Sequence, residues 1–438
     1  MSNPINRFFL KSAPSDPHGS QALEALRASA RTLLEEQPLP QFRDENYQRF
    51  NITKVLTEAA EHVDTPRRHP DVQVEGNSCF LDRTPEIIRA TFLEDSVSVD
   101  THSDGYFIGE LRQFEQHYPG VAQRYLGTMD SVQADPLAAL NTLYAHDVLV
   151  LYLPKGQHLD RPVHILQRAA LRADSIRFYC PRILVIAEED SAAKILICDH
   201  ADHEETPYYR NSLLEIYAER GSHIQCYDIE ETPSTATRIH SVHIHQAEDS
   251  MVLTNNLTIT NGRTRNNYFC ELAGTHSELN LDGLAILDSD QQADTFSLIR
   301  HMAPDCHSDE LFKYTINDRA QGAFSGMIYV DQVAQKTLAY QNNRNLLLSD
   351  KARMYSKPQL EIYADDVRCT HGLTTGELDA RALFYMQQRG IPFVEARLML
   401  IIAFMNDVLT KIDLPDLRER LGEIIERRYR GIPATCAR

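Results

Sequence analysis

The 438-residue sequence has no tryptophan, and no two of its eight cysteines stand as Cys-x-x-Cys. Cys79, Cys180, Cys198, Cys226, Cys270, Cys306, Cys369 and Cys436 are scattered along the chain, which argues against a disulfide framework and for a reducing compartment, with most of them serving as small buried apolar residues. Cation is in short supply: 44 Lys and Arg against 62 Asp and Glu, a formal net charge of −18. That excess repels phosphate backbones and anionic lipid, so neither nucleic acid nor a membrane surface is expected as the main partner. Met1 to Ser15 lacks an apolar core of signal-peptide length, and the longest dense apolar run, Leu398 to Met405, is far too short to span a bilayer. A cytoplasmic location is expected. No Gly-x-x-x-x-Gly-Lys-Ser/Thr, no Gly-x-Gly-x-x-Gly after a strand and no Gly-x-Ser-x-Gly occurs, so the sequence makes no case for nucleotide or serine-type hydrolysis.

What is present falls into three parts. Gln21 to Glu36 carries apolar residues at helical spacing and ends before Leu39-Pro40. Short strands are expected at Cys79–Leu81 and Ile87–Phe92, and helices over Leu111–Leu126 and Pro136–Tyr144, with Pro136 suited to a first helical position. Residues 1–145 therefore read as a mainly helical N-terminal domain.

From Val148 the pattern changes to short β-branched and aromatic runs, stopping first at Pro154-Lys155-Gly156 and continuing, without a long helix, to about Cys369. Asn261-Gly262 is the clearest tight-turn dipeptide, and such dipeptides are few for so many strands. That shortage favours strands stacked in coils over hairpins, so residues 146–372 are expected to form a β-solenoid, with Asn255-Asn256 and Asn266-Asn267 as candidates for an inward polar ladder. After Gly376 the period is helical again. Gly390 suits a helix end, Pro392 and Pro415 open further helices, and 373–438 read as a helical C-terminal domain. The middle helix of this domain is apolar over more than one face.

Four groups hold side chains able to bind metal. On a strand, His243 and His245 share a face and His240 opposes them; hydrogen-bonded strand histidines are the commoner outcome. His200-Ala-Asp-His203, within Asp199–Glu205, reads as a solvated loop, and Cys306-His307 point to opposite faces of a strand. Cys369-Thr370-His371 is the strongest group. Residues i and i+2 of an extended chain share a face, and a thiolate with a neutral imidazole suits iron, zinc or an iron–sulfur cluster. Two ligands do not complete a four-coordinate site.

The stretch Gln359-Leu360-Glu361-Ile362-Tyr363-Ala364-Asp365-Asp366-Val367-Arg368-Cys369-Thr370-His371-Gly372 resembles a signature of the SufB/SufD family of the SUF iron–sulfur cluster assembly system, on its SufD side. Gln335-Lys336-Thr337, Asn345 to Asp350, Pro162-Val163-His164 and Arg389-Gly390-Ile391 fit the same resemblance in the same order, over about 137–412. SufB-type chains are longer and typically carry a Glu-His-Glu-Ala-like run where Cys369 to Gly372 stand. The resemblance implies a mainly β fold, a right-handed parallel β-helix core flanked by N-terminal and C-terminal helical domains. It further implies a non-enzymatic scaffold that pairs with SufB as a heterodimer, leaves a homodimer open to the lone chain, and binds the SufC ATPase. A transient Fe-S cluster would form at the interface with SufB, with none held stably by the lone chain. His371 matches the family's interface residue and Cys369 lies beside it; both would be transient ligands shared with the partner. The SufC-docking helices would present Leu378, Phe384, Tyr385, Ile391, Pro392, Leu398 and Ile402. The competing readings are a SufB-like paralogue, a β-helix carbohydrate-active enzyme built around Asp365-Asp366, and a lone iron-binding protein.

Overall fold

Alternation of inward and outward side chains, repeated over long strands with short corners, builds the core of this molecule. The computed structural model describes residues 4–14, 20–63, 87–93, 96–99, 105–169, 177–201 and 207–432. The strand expected at Cys79–Leu81, together with His203 and Cys436, lies outside the described residues. The helices are α1 (Pro4–Ser12), α2 (Gln21–Glu36), α3 (Ile52–Ala60), α4 (Leu111–His117), α5 (Ala122–Tyr125), α6 (Asp130–Gln133), α7 (Pro136–Tyr144), α8 (Ala380–Gln388), α9 (Phe393–Leu409) and α10 (Pro415–Tyr429). The early strands are β1 (Ile88–Leu93), β2 (Ser96–Val99), β3 (Phe107–Glu110), β4 (Leu149–Leu153), β5 (Val163–Ala169), β6 (Arg177–Tyr179), β7 (Arg182–Ala187) and β8 (Ala192–Ala201). The central ones are β9 (Tyr208–Ala218), β10 (His223–Glu231), β11 (Thr237–Gln246), β12 (Met251–Thr260), β13 (Arg263–Leu272) and β14 (Glu278–Leu287). The last are β15 (Gln292–His301), β16 (His307–Ile316), β17 (Gln321–Val330), β18 (Leu338–Leu347), β19 (Arg353–Ile362) and β20 (Arg368–Gly376).

Two long sheets face each other. One runs β2-β1-β5-β8-β10-β12-β14-β16-β18-β20, the other β19-β17-β15-β13-β11-β9-β7-β4-β3, with β6 beside β9. From β5 and β4 onward every neighbour is parallel, and from β7 onward successive strands alternate between the sheets, so the chain winds as a parallel β-solenoid. At its start, β2 on β1 and β3 on β4 are antiparallel. Three strands that precede residue 145 thus belong to the solenoid sheets.

Asn261-Gly262 is a corner between sheets, not a hairpin: β12 and β13 lie in different sheets. A Cβ on Gly262 would drive into the carbonyl oxygens of Ser234 and Ala236 in the coil below, which is why the corner needs glycine. Of the two Asn pairs, Asn256 and Asn266 point inward and bond to each other across the interior at 3.2 Å. Asn255 and Asn267 point outward, Asn255 donating to the Val408 carbonyl of α9 at 3.2 Å. Period two puts only one member of each pair inside.

The interior is also where the reading of Asp199–Glu205 as a solvated loop fails over Asp199–Ala201; residues 202–205 lie outside the described residues. Asp199 and His200 continue β8, and Asp199 is fully buried against the guanidiniums of Arg210 and Arg238. Arg238 also meets Asp228 at 2.6 Å. A run of charge is a solvated loop only where no buried countercharge awaits it.

The expected helix over Leu111–Leu126 splits into α4 and α5. Pro119 follows the end of α4, and Gly120 turns with φ of +78°. α7 spans the expected residues, with Pro136 in its first turn and the Asp135 carboxylate accepting from Leu137 N at 2.8 Å. At the other end, α9 and α10 lie on the outer face of the β20-containing sheet. Ile401, Met405, Val408, Leu421 and Ile425 pack there with Leu196, Ile229, Leu257 and Leu284. Among the described residues no helix is long and apolar enough to cross a membrane.

Candidate functional site at the last coil

β20 pairs with β18 so that Cys369 stands opposite Ala339 and His371 opposite Gln341. Ala339, Gln341, Asn343 and Asn345 are all buried and face the solenoid interior. Paired parallel strands keep one face in common, so Cys369, His371, Leu373 and Thr375 sit on the interior-facing side of β20. Among the described residues no further coil covers them. His371 is consequently exposed and Cys369 half-buried against the main core, although their counterparts one coil earlier are sealed. The reason is position: among the described residues β20 and β19 end the two sheets, each with one strand neighbour.

The thiol and the imidazole therefore occupy the mouth of an uncapped solenoid. Burial pushes the Cys369 thiol up from its ordinary pKa, opposed by a hydrogen bond from the Ala339 backbone. It stays protonated at neutral pH until a metal or a base takes the proton. Around the mouth, Tyr363 (57% exposed), Leu373, Ile362, Leu338 and Val333 present apolar surface on unpaired strand edges or beside them. Open edges bearing apolar side chains require a cover.

Among the described residues no group of three or more His, Cys, Asp and Glu side chains is placed to hold a metal ion. Cys369 and His371 remain a two-ligand fragment. The other candidate groups among the described residues are accounted for by structure. His240 is buried, its ring nitrogen 2.8 Å from Ser212, and burial together with neighbouring Arg238 keeps it neutral. His243 stacks on Phe269 and bonds Ser131 at 3.0 Å, while His245 faces Glu271 at 3.4 Å. Cys306 is buried against Ser277, and His307 packs edge-on to Tyr340.

The expected docking helices separate by exposure. Phe384 (62% exposed), Tyr385 (60% exposed) and Pro392 are open, and Leu378, Ile391 and Ile402 are half-buried. Leu398 is buried within the chain's own core, a correction to its place on the expected docking face: α9 is apolar nearly all round, and Leu398 is on the inward side. α8 buries none of its residues, and Phe393, Val394 and Met399 of α9 extend its exposed apolar surface. Those three carried no signal separating them from core positions.

Comparison with known proteins agrees with the geometry. The family described as "SUF system FeS cluster assembly, SufBD core domain" matches residues 170–404, and "SufBD protein N-terminal region" matches residues 8–165. An iron–sulfur cluster assembly SufBD family protein of Synechocystis is 28% identical over 422 residues, covering 92% of this chain and 90% of its own. The iron–sulfur cluster assembly protein SufD of Escherichia coli is 29% identical over 310 residues (70% and 72%). That of Bacillus subtilis is 22% identical over 441 residues (97% and 98%).

Proposed function

The chain belongs to the SufB/SufD family as a SufD-like member, and on that premise we propose that it is a non-catalytic scaffold subunit that pairs with SufB at the open end of its solenoid. The observation that carries this reading is the uncapped last coil, where Cys369 and His371 face outward from the interior column within an exposed apolar rim. A partner solenoid covering that rim would bury it and bring its own ligands to the half-set offered here. The nascent iron–sulfur cluster is then cargo held between the two chains, with His371 as a ligand through one ring nitrogen and Cys369 as an accessory thiolate once its proton is displaced.

The exposed aromatic face of α8 and the start of α9 would receive the SufC ATPase. Motion imposed there has a route to the site through side chains of this chain. Asp407 of α9 holds Lys313 of β16 at 2.6 Å and Arg344 of β18 at 3.5 Å, and β18 is the strand on which β20 rests. Lys411 beyond α9 holds Asp282 of β14 at 2.7 Å. Purification of the tagged chain from its own host tests the reading. SufB-type and SufC-type chains should co-purify, and Phe384→Ala with Tyr385→Ala should release the ATPase while keeping the SufB-type chain. Isolation of the chain free of both refutes the proposal.

A further inference from the structure

Behind His371 the interior column is polar for two coils. Read inward along paired strands, it runs His371, Gln341, Glu310, Leu281. Two polar side chains stand directly under the exposed imidazole, with Leu281 behind them. Gln341 and Glu310 are both fully buried. Gln341 Nε2 donates to Glu310 Oε2 at 2.7 Å, which fixes the amide with its nitrogen toward the carboxyl. Its oxygen, Oε1, is buried and has no hydrogen-bond partner. A buried carbonyl left without a donor is costly, so the arrangement is incomplete as it stands. The facing sheet makes room for it: a Cβ on Gly326 would strike Gln341 Nε2. The next side chain outward on the same face, one strand spacing away (about 4.8 Å), is His371.

We propose that Gln341 and Glu310 are positioning residues for the cluster-assembly site, a buried amide–carboxyl pair that accepts the ring N–H of His371 and so decides which ring nitrogen faces the cargo. This deepens the reading of His371 given above and rests on it. A histidine ligand needs its second nitrogen held, because the hydrogen bond made there sets both the tautomer and the ring's direction. Gln341 does this with a neutral oxygen, and Glu310 keeps that oxygen pointing outward by occupying the amide's nitrogen end. Burial pushes the Glu310 carboxyl up to about 7; in either protonation state one of its oxygens can still accept from Gln341. In this column Leu281 separates the pair from Thr254 and Cys226 further in, so the polar pair stands at the mouth of the solenoid and is not part of an unbroken ladder running its length.

The test uses the full-length chain, metal-free, labelled with nitrogen-15 histidine, and reads the ring N–H of His371, assigned by its loss in His371→Ala. In the wild type that N–H should exchange with water about 3- to 10-fold more slowly than an open imidazole, the factor expected of one net hydrogen bond. Gln341→Met should abolish the protection. Glu310→Leu should do the same by freeing the amide to turn, and Glu310→Gln should restore it, because its side-chain oxygen still accepts from Gln341. Unprotected exchange in the wild type overturns the proposal without any variant. So does protection that survives Gln341→Met in a folded chain. Because no cluster enters this measurement, its failure is distinct from failure of the scaffold reading, which loss of partners on purification would show.

Discussion

Lys313 is almost fully buried on β16, yet its ammonium lies 2.6 Å from Asp407, whose side chain on α9 is more than half exposed. The pair is asymmetric, and so are its consequences. Asp407→Ala leaves a buried ammonium with only the Phe404 carbonyl (2.6 Å) and ring for company, and should cost about 2–4 kcal/mol. Lys313→Met removes the buried charge itself and leaves an exposed carboxylate to water, so it should cost about 1 kcal/mol. Urea unfolding of the two variants checks the order: the more exposed residue should be the more damaging one to lose. The Lys313 hydrogen bond holds the Asp407 carboxyl below its ordinary pKa, so the tie should persist into mild acid and fail only as pH falls through that lowered value.

Glu310 gives the opposite pH dependence. Its folded-state pKa is pushed up to about 7 from 4.5 by burial. Between those values the folded chain keeps a proton that the unfolded chain has lost, so rising pH favours unfolding, and the penalty is complete above about 7. Glu310→Gln removes it. Relative to the wild type, that variant should gain on the order of 2–3 kcal/mol when the pH is raised from about 4.5 to 8. Denaturation at the two pH values measures the difference directly, and a gain on acidification would contradict it.

Gly283 and Phe312 are paired across β14 and β16, and the ring occupies the place where a side chain on Gly283 would stand. Gly283→Ala should destabilise by about 2–3 kcal/mol, and Phe312→Leu in the same chain should recover part of it, with a coupling of about 1 kcal/mol or more. Gly262→Ala meets backbone carbonyls, not a side chain, so no second substitution should relieve it. Urea midpoints of the single and double variants separate the two cases.

α8 and α9 separate core from surface over a short span. Leu398→Ala should lower stability by about 2–4 kcal/mol. Phe384→Ala and Tyr385→Ala should stay within about 0.5 kcal/mol of the wild type and act only on affinity for the proposed ATPase partner. Thermal unfolding and a binding titration, run on the same three variants, show whether the exposed aromatics serve the chain or its partner.

The β-branched and aromatic runs made the strands legible, the shortage of tight-turn dipeptides made the stacked-coil architecture legible, and Pro136 and Pro415 marked helix starts that the structure keeps. The coil repeat itself was not legible. Strands β10, β12, β14, β16, β18 and β20 begin at residues 223, 251, 278, 307, 338 and 368, an interval that drifts, and their corners share no fixed residue. Cys369 and His371 stood out because they are near in sequence. Gln341 and Glu310 did not, because their relation to His371 exists only once β16, β18 and β20 are in register. Asp199 was misread for a related reason, since its countercharges Arg210 and Arg238 come from other strands. Leu398 could not be turned inward or outward from a helix whose apolar residues surround it.

The central claim is that His371 acts on cluster assembly and not on the fold. The most direct measurement is the activity of iron–sulfur enzymes in cells that rely on this chain alone for cluster assembly, carrying His371→Ala. The account predicts that the variant folds, keeps its partner chains on purification, and fails to support those enzymes. Normal enzyme activity in such cells, with the variant as the sole copy, would contradict it.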